Sequence, residues 1–251
     1  MDPLHTSPLI QPGLLNNTPA VLVGATGGIG AACAHALAVC GARIVLAGHS
    51  PARLRTLERE LTEGGVPPSR LHPLSIDLRL ETSCEALRAH ALNALEEPPQ
   101  LLINTAGIGR LGSFHEGSEV DLLEQVEVNL IGTIRLLRAF AEPLRQSKGL
   151  MVQVISGLAH VPGRKAAVYA ATQHALKGLV GSLRQEYGGQ GVCYATVTAA
   201  GAGVDTRFWD RAEPRTPRGA MLHPQRVAEA IMTVVLAPKG SVLDDVRVRT
   251  P

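Results

Sequence analysis

One early segment combines a strand, a glycine-rich turn and a helix, and it limits the possible folds more than any other feature. Residues 20–23 form an apolar run typical of a buried strand, and residues 31–39 form an alanine-rich run typical of a helix. Between them Gly24, Gly28 and Gly30 follow a Gly-x-x-x-Gly-x-Gly spacing. Glycines let a backbone approach a pyrophosphate, and a helix N-terminus offers free N–H groups to it. The segment therefore predicts a dinucleotide site, with a chance glycine turn as the alternative.

Strand-like and helix-like segments alternate along the chain. The apolar patterning predicts strands at residues 20–23, 43–47, 71–76, 100–104, 150–155, 192–197 and 246–249. Helices are predicted at residues 31–39, 51–63, 81–95, 119–146, 166–187 and 224–236. Strands joined by helices require right-handed crossovers, which place the strands in one parallel sheet. We therefore expect a single-domain α/β fold, a doubly wound parallel sheet of about seven strands with helices on both faces.

Two segments lack this periodicity. Residues 1–19 are rich in proline and polar side chains, which is typical of a loose tail, whereas residues 20–251 form the predicted domain. Residues 200–223 form a long irregular insert, and such inserts in compact domains are usually functional lids. Its large aromatics, Phe208 and Trp209, indicate an apolar substrate contact or lid anchor, or else simple packing onto the core.

Composition and charge exclude several classes of function. The net charge of +2 decides nothing about partners, but the sequence has no basic stripe or aromatic ladder, so we expect no nucleic-acid partner. No apolar run reaches the roughly 18 residues that span a bilayer, and no signal peptide is recognisable. We therefore expect no membrane association and a cytoplasmic location. The four cysteines lack metal-ligand spacing, which predicts buried thiols and no metal.

Six ordered motifs between residues 20 and 250 resemble those of the short-chain dehydrogenase/reductase family. Besides the glycine spacing they include Asn104-Thr-Ala-Gly107, an asparagine within a helix (Asn129), and a serine and tyrosine thirteen residues apart (Ser156 and Tyr169). The resemblance implies a Rossmann fold, a nicotinamide cofactor and a small carbonyl or alcohol substrate. It also implies pairing into a homodimer or homotetramer.

The same resemblance assigns catalytic roles. Tyr169 would be the general acid or base, and Ser156 would donate a hydrogen bond to the substrate oxygen. Asn129 would hold a water in a proton relay, although an asparagine inside a helix also indicates a simple kink. The family's lysine four residues after the tyrosine is Gln173 here, which can bond a ribose hydroxyl but brings no charge. Lys177 lies a further turn along, and we do not expect it to substitute.

The predicted second strand is followed by no carboxylate that could bind the ribose hydroxyls of NAD. This absence favours NADP over NAD, with His49, Ser50 and Arg53 receiving the 2′-phosphate. The alternative is that His49 is an ordinary exposed loop residue.

Further cofactor contacts are implied by the resemblance. Asp77 would accept a hydrogen bond from the adenine amino group, or else cap the following helix. The complete set of predicted cofactor-binding residues is Gly24, Thr26, Gly27, Gly28, Ile29, Gly30, His49, Ser50, Arg53, Asp77, Leu78, Asn104, Ala106, Gly107, Tyr169, Gln173 and Thr206.

Three hypotheses about function follow from these residues. The first is an NADP(H)-dependent oxidoreductase that reduces a carbonyl or oxidises an alcohol of a small, partly apolar substrate. The second is a catalytically weak or inactive nucleotide-binding homologue, acting as a sensor or assembly subunit. Gln173 supports it, as does the lack of the family's usual Pro-Gly in residues 199–206. The third is a different reaction on the same scaffold, such as dehydration or epimerisation.

Overall fold

The computed structural model describes residues 10–238 and 240–251, and these contain a seven-stranded parallel sheet. The strands are β1 (Pro19–Val23), β2 (Arg43–Gly48), β3 (Leu71–Ser75), β4 (Leu101–Asn104), β5 (Leu150–Ser156), β6 (Cys193–Ala199) and β7 (Asp245–Val248). Their spatial order is β3-β2-β1-β4-β5-β6-β7. This order confirms the predicted doubly wound α/β fold, because the chain reverses its direction of travel between β1 and β4.

Helices cover both faces of the sheet. They are α1 (Gly28–Val39), α2 (Pro51–Glu63), α3 (Glu81–Leu95), α4 (Glu119–Gln125), α5 (Gly132–Ser147), α6 (Ala167–Tyr187), α7 (Phe208–Ala212) and α8 (Pro224–Val235). A π-helical segment, Val126–Ile131, joins α4 to α5. Short 3-10 turns occupy Pro68–Arg70, Gly157–Ala159 and Gly188–Gln190.

Alternation along the strands divides the core into two layers. Leu22 and Leu46 face one side and pack with α1, α2 and α8. Val21 and Val45 face the other side and pack with α3, α5 and α6. Both central strands are apolar on both faces because each face is covered, as expected for a parallel sheet.

Most helix and strand bounds agree with the sequence prediction to within one or two residues. The helix predicted at residues 31–39 instead begins at Gly28, so its first turn contains two of the glycines. The helix predicted at residues 119–146 is interrupted by the π segment around Asn129. Ser50 caps α2 as its sequence context predicts, since its Oγ accepts a hydrogen bond from the Arg53 backbone N–H at 3.4 Å.

The loose tail predicted for residues 1–19 is wrong for residues 10–19. Ile10 and Leu15 are buried in the core, and the Leu15 N–H donates to the Cys40 carbonyl at 2.8 Å. The apolar side chains in this segment explain the packing, because they cover the C-terminal end of α1. Residues 1–9 lie outside the described residues.

Two further observations concern the described part of the chain. None of its helices combines the length and apolar character needed to cross a bilayer. Within residues 10–238 and 240–251, no group of three or more His, Cys, Asp or Glu side chains could hold a metal ion.

Cys33 is fully buried, and burial raises the pKa of its thiol to about 12.

Candidate active site

Two glycines of the turn after β1 are packed too closely to carry a side chain. Gly24 has a φ of 80°, and a Cβ there would lie 2.6 Å from the Ala106 backbone nitrogen. A Cβ on Gly30 would overlap the Gly24 carbonyl oxygen. The turn therefore depends on glycine for its backbone conformation at Gly24 and for close approach at Gly30. This packing brings the loop after β4 against the turn at the carboxyl edge of the sheet.

The N-terminus of α1 points its free backbone groups into this edge. Gly27 precedes the helix and supplies no side-chain cap. Within the described residues, the N–H groups of Gly28, Ile29 and Gly30 have no backbone acceptor. Thr206 packs against the turn at Gly28, since a Cβ built on Gly28 would lie 2.5 Å from the Thr206 methyl carbon. The result is an uncapped helix end that can bind an anion.

A polar segment without a carboxylate of its own follows β2, and Asp77 from the neighbouring strand end lies close enough for His49 to lower the pKa of its carboxyl. His49 and Arg53 are exposed beside the capping residue Ser50. Thr26 lies over the end of β2, where a Cβ on Gly48 would meet its hydroxyl oxygen at 3.0 Å. The structure thus places Thr26 between the glycine turn and the predicted 2′-phosphate contacts.

Asp77 is held by a neighbouring arginine. Arg79 Nε and Nη2 donate to its carboxylate at 3.0 Å and 2.7 Å, and this pairing lowers the pKa of Asp77. The alternative role as a helix cap is wrong, because the N-cap of α3 is Leu80. An adenine amino group would have to share the carboxylate with Arg79. Leu78 is buried against the start of α5, since a Cβ built on Gly132 would lie 2.8 Å from the Leu78 Cβ.

Asn104 ties the loop after β4 to the core. Its amide nitrogen donates to Gln153 Oε1 at 3.0 Å and to Thr133 Oγ1 at 3.2 Å. Its amide oxygen accepts from the Ala106 N–H at 3.1 Å. Because the side chain is fully buried, its direct contribution is to position Ala106 and Gly107 at the edge of the sheet.

Asn129 lies in the π-helical segment and makes similar ties. Its amide oxygen accepts from the Ile108 N–H at 2.8 Å, and its amide nitrogen donates to the Ile108 carbonyl at 2.9 Å and to Thr172 Oγ1 at 3.2 Å. The Asn129 carbonyl accepts from Thr133 Oγ1 at 2.7 Å. Its side chain thus joins the loop after β4 to α6 instead of facing open space. π-Helical segments are frequent at functional sites.

Ser156 and Tyr169 come together at the ends of β5 and α6. The Leu158 N–H donates to Ser156 Oγ at 3.2 Å. Burial raises the pKa of the Tyr169 phenol to about 12, and the nearby Ser156 hydroxyl acts in the opposite direction. The phenol is therefore protonated at neutral pH and available as a proton donor.

Gln173 contacts the backbone of Ser156. Its Oε1 accepts a hydrogen bond from the Ser156 N–H at 2.9 Å, and its side chain is only 4% exposed. Its Nε2 lies at 3.5 Å from Thr172 Oγ1, which is a weak contact. Gln173 therefore fixes the end of β5 with its oxygen and keeps most of the hydrogen-bonding capacity of its NH₂ group.

Lys177 is occupied elsewhere. Its Nζ lies 3.1 Å from His160 Nδ1, and His160 Nε2 lies 3.1 Å from Thr198 Oγ1. Because an ammonium only donates, Nδ1 must accept and Nε2 must carry the ring proton. Burial and the nearby lysine lower the pKa of His160. This arrangement agrees with the expectation that Lys177 does not take the place of the family's lysine.

The insert at residues 200–223 covers Tyr169 with an aromatic side chain. The ring centroids of Phe208 and Tyr169 are 5.4 Å apart, and a Cβ on Gly109 would overlap the Phe208 ring. Trp209 anchors the segment, since its indole N–H donates to the Val204 carbonyl at 2.9 Å. Of the two sequence interpretations, Trp209 packs and Phe208 lies directly beside the catalytic candidates.

Sequence reasoning missed three contacts of this site. Thr105 Oγ1 donates to the Val23 carbonyl at 2.9 Å, and Thr172 links Asn129 to the Tyr169 carbonyl. The local spacing of residues gives no signal for either contact. The third contact, from Arg79 to Asp77, has such a signal, because an arginine two residues after an aspartate can donate to it locally.

A family model described as short chain dehydrogenase matches residues 18–215. The match covers most of the chain, so the protein belongs to the short-chain dehydrogenase family. Members of this family are oxidoreductases that use nicotinamide cofactors, act on small molecules and commonly form oligomers.

Individual relatives agree with this assignment. An uncharacterized oxidoreductase of Staphylococcus haemolyticus is 27% identical over 94% of this chain and 98% of its own. The solved structure of an alcohol dehydrogenase from Thermococcus sibiricus, complexed with 5-hydroxy-NADP, is 28% identical with a TM-score of 0.84, covering 94% of this chain and 97% of its own. A metagenomic short-chain oxidoreductase in complex with NADP is 27% identical with a TM-score of 0.80, covering 95% and 99% respectively.

Proposed function

We propose that the protein is an NADP(H)-dependent oxidoreductase whose favoured direction is carbonyl reduction, with Tyr169 as the general acid. The observation that carries this proposal is the proximity of the Ser156 hydroxyl to the Tyr169 phenol at the carboxyl edge of the sheet. The uncapped glycine turn lies at the same edge. A proton donor and a dinucleotide cradle are the two parts that reduction by a nicotinamide requires.

The residues of the cradle fit a dinucleotide. The glycine turn leaves no room for side chains, and the first-turn N–H groups of α1 are free to bind a pyrophosphate. His49, Ser50 and Arg53 offer donors and positive charge to a 2′-phosphate, and no acid in that segment opposes it. NADPH, when bound there, supplies the hydride. The NADP named with two of the similar structures supports the same choice.

Ser156 and Tyr169 divide the work at the substrate oxygen. The Leu158 N–H supports Ser156 Oγ, and the serine hydroxyl would donate to the oxyanion that develops on the substrate. Tyr169 then transfers its phenolic proton to that oxygen, which leaves an alcohol and a phenolate that solvent reprotonates. Gln173 holds the Ser156 N–H and thereby fixes the position of the serine.

The direction of the reaction follows from the charge at position 173. A lysine would stabilise the phenolate, whereas glutamine has no charge to do so. Burial adds to this effect, because it raises the pKa of Tyr169 to about 12. Reduction uses the protonated phenol, which dominates at neutral pH, whereas oxidation needs the scarce phenolate. We therefore expect slow alcohol oxidation near neutral pH and relatively unimpaired reduction.

Steady-state assays across a panel of aldehydes and ketones, with NADPH and NADH in parallel, test the proposal. We expect turnover with NADPH and weaker activity with NADH. If no carbonyl is reduced by a protein that binds NADPH, the protein is a nucleotide-binding homologue without this activity. Preference for NADH would contradict the assignment of His49, Ser50 and Arg53.

We also propose that the chain forms a homodimer or homotetramer. Val120 and Leu123 on α4 are 77% and 58% exposed, and such apolar side chains are typical of an interface. Light scattering of the purified protein measures the assembly directly, and a monomer at micromolar concentration would contradict the proposal.

A further inference from the structure

A pocket that is separate from the cofactor cradle lies beside the catalytic region. This outer pocket has a volume of about 170 Å³ and is formed by the loop after β4, the start of α6 and the end of α7. Its wall includes Leu111, Lys165, Val168, Arg211 and Ala212. Backbone hydrogen bonds close the wall, from the Leu111 N–H to the Ala212 carbonyl at 2.9 Å and from the Gly112 N–H to the Lys165 carbonyl at 2.7 Å.

Two cations of the outer pocket are free. Lys165 and Arg211 both line it, and neither has a carboxylate within ion-pair distance among residues 10–238 and 240–251. The third cation of the wall, Arg110, is already paired with Glu124 at 2.9 Å and with Asp121 at 3.5 Å. Asp121 is the pocket's lining carboxylate, so the pocket retains an uncompensated positive charge.

Lys165 is held at the pocket in an unfavourable backbone conformation. Its φ is 58°, in the left-handed region that residues with a side chain seldom adopt. The bond from Gly112 to the Lys165 carbonyl fixes this conformation. Strain of this kind is typical of ligand-binding and active sites, and it adds to the evidence from charge.

The outer pocket adjoins Tyr169 along α6 and Phe208 along α7. Val168 lines the pocket and immediately precedes Tyr169 in α6. Ala212 lines it from α7, one helical turn after Phe208, whose ring lies against Tyr169. These two neighbours place the outer pocket beside the catalytic region.

We propose that the outer pocket binds the anionic end of the substrate, a carboxylate or phosphate, while the substrate carbonyl reaches Tyr169. This inference rests on the proposed function and narrows its substrate class to carbonyl compounds with a distal anionic group. Lys165 and Arg211 donate hydrogen bonds to the anion, and Arg211 can do so with two parallel N–H groups. The apolar wall formed by Leu111, Val168 and Ala212 contacts the intervening carbon chain.

Calorimetric titration in the presence of NADP⁺ tests this inference without turnover. The ligands are straight-chain keto acids of graded length, the methyl ester of each, and a phosphorylated ketone of matching length. The test variant is Lys165→Gln/Arg211→Gln. Its matched control is Arg164→Gln/Arg207→Gln, which removes the same charge from adjacent exposed positions that do not line the pocket. Thermal unfolding checks that both variants fold.

We expect at least one anionic ligand to bind about tenfold more tightly than its neutral counterpart, as two partly exposed charge contacts would give. The test variant should lose this preference, the control should keep it, and added salt should weaken it. The response to the acid or to the phosphate identifies the anion. Equal binding of acids and esters, no binding of any ligand, or equal losses in both variants would overturn the inference.

The same ligands separate this inference from the proposed function. Anion-dependent binding without NADPH oxidation would leave the pocket assignment intact and contradict the proposed reductase activity. If neutral ketones are turned over as efficiently as keto acids and the phosphorylated ketone, the proposed reductase activity would stand and the pocket assignment would be contradicted.

Discussion

The cofactor cradle and the catalytic pair lie at the same edge of the sheet but are determined in different ways. The cradle is determined by backbone, since Gly24 and Gly30 allow contacts that any Cβ would prevent. The region of Ser156 and Tyr169 is determined by side chains, with Gln173 and Phe208 completing it. The difference indicates that Gly24 and Gly30 accept no side chain without distortion, whereas the geometry of the catalytic region depends on which side chains surround it.

The largest expected effect is the removal of the proton donor from the catalytic region. Tyr169→Phe should lower the turnover of carbonyl reduction by about 10²–10⁴-fold, the range typical of acid–base groups. NADPH affinity should change little, because the cradle is built by other residues. Stopped-flow measurement of NADPH oxidation, together with titration of the cofactor, gives both quantities.

Tyr187→Phe is the control for that change. Tyr187 ends the same helix and packs on Tyr194, with ring centroids 6.1 Å apart. Its substitution should leave turnover unchanged. Equal turnover of wild type and Tyr169→Phe would remove Tyr169 from the mechanism.

Substitution in the cradle should instead lower NADPH affinity while it leaves the proton donor in place. In Gly30→Ala the new methyl group overlaps the Gly24 carbonyl oxygen, so we expect about 1–3 kcal/mol of destabilisation and a loss of NADPH affinity of tenfold or more. Gly178→Ala on α6 is the matched control, because a Cβ there meets nothing within 4 Å. It should be stabilising by about 0.5–1 kcal/mol. Denaturant unfolding and cofactor titration measure both effects, and tight NADPH binding by a folded Gly30→Ala would contradict the cradle.

Substitution of Gln173 tests whether one side-chain hydrogen bond fixes the geometry of the catalytic region. Gln173→Leu removes the acceptor for the part-buried Ser156 N–H, an expected cost of about 1 kcal/mol. We expect about a tenfold lower turnover with a nearly unchanged KM for NADPH. Gln173→Glu keeps an acceptor and should partly restore the rate, whereas Gln185→Leu on the exposed part of α6 should have no effect. A rise in the KM for NADPH without a change in turnover would indicate a direct cofactor contact instead.

The smallest expected effect concerns cofactor choice. His49→Asp places a carboxylate where the proposal has the 2′-phosphate, so NADPH affinity should fall by a few-fold to about tenfold and NADH affinity should rise. His115→Asp is the control, since His115 is also exposed but lies far from the cradle in sequence and on another loop. Calorimetric titration of both cofactors gives the ratio, and an unchanged ratio would remove His49 from the 2′-phosphate site.

The comparison also explains what the sequence could predict. The glycine spacing, the strand before it and the capping Ser50 predicted the local turn and helix starts, because each is a local property of the backbone. The Gln173 contact with Ser156 depends on which donors and acceptors meet after folding. Residues 10–19 were mispredicted for the same reason, since Ile10 and Leu15 reveal their role only when packed on α1.

The pH dependence of carbonyl reduction in the wild-type protein shows whether Tyr169 donates the proton. Because the pKa of Tyr169 is raised to about 12 and Gln173 brings no charge to lower it, the phenol stays protonated well above neutral pH. Single-turnover NADPH oxidation at saturating substrate should therefore be flat from about pH 6 to about pH 10 and fall only above that range. A fall in rate centred between about pH 6 and pH 8 would mean that another group supplies the proton, and would contradict the account.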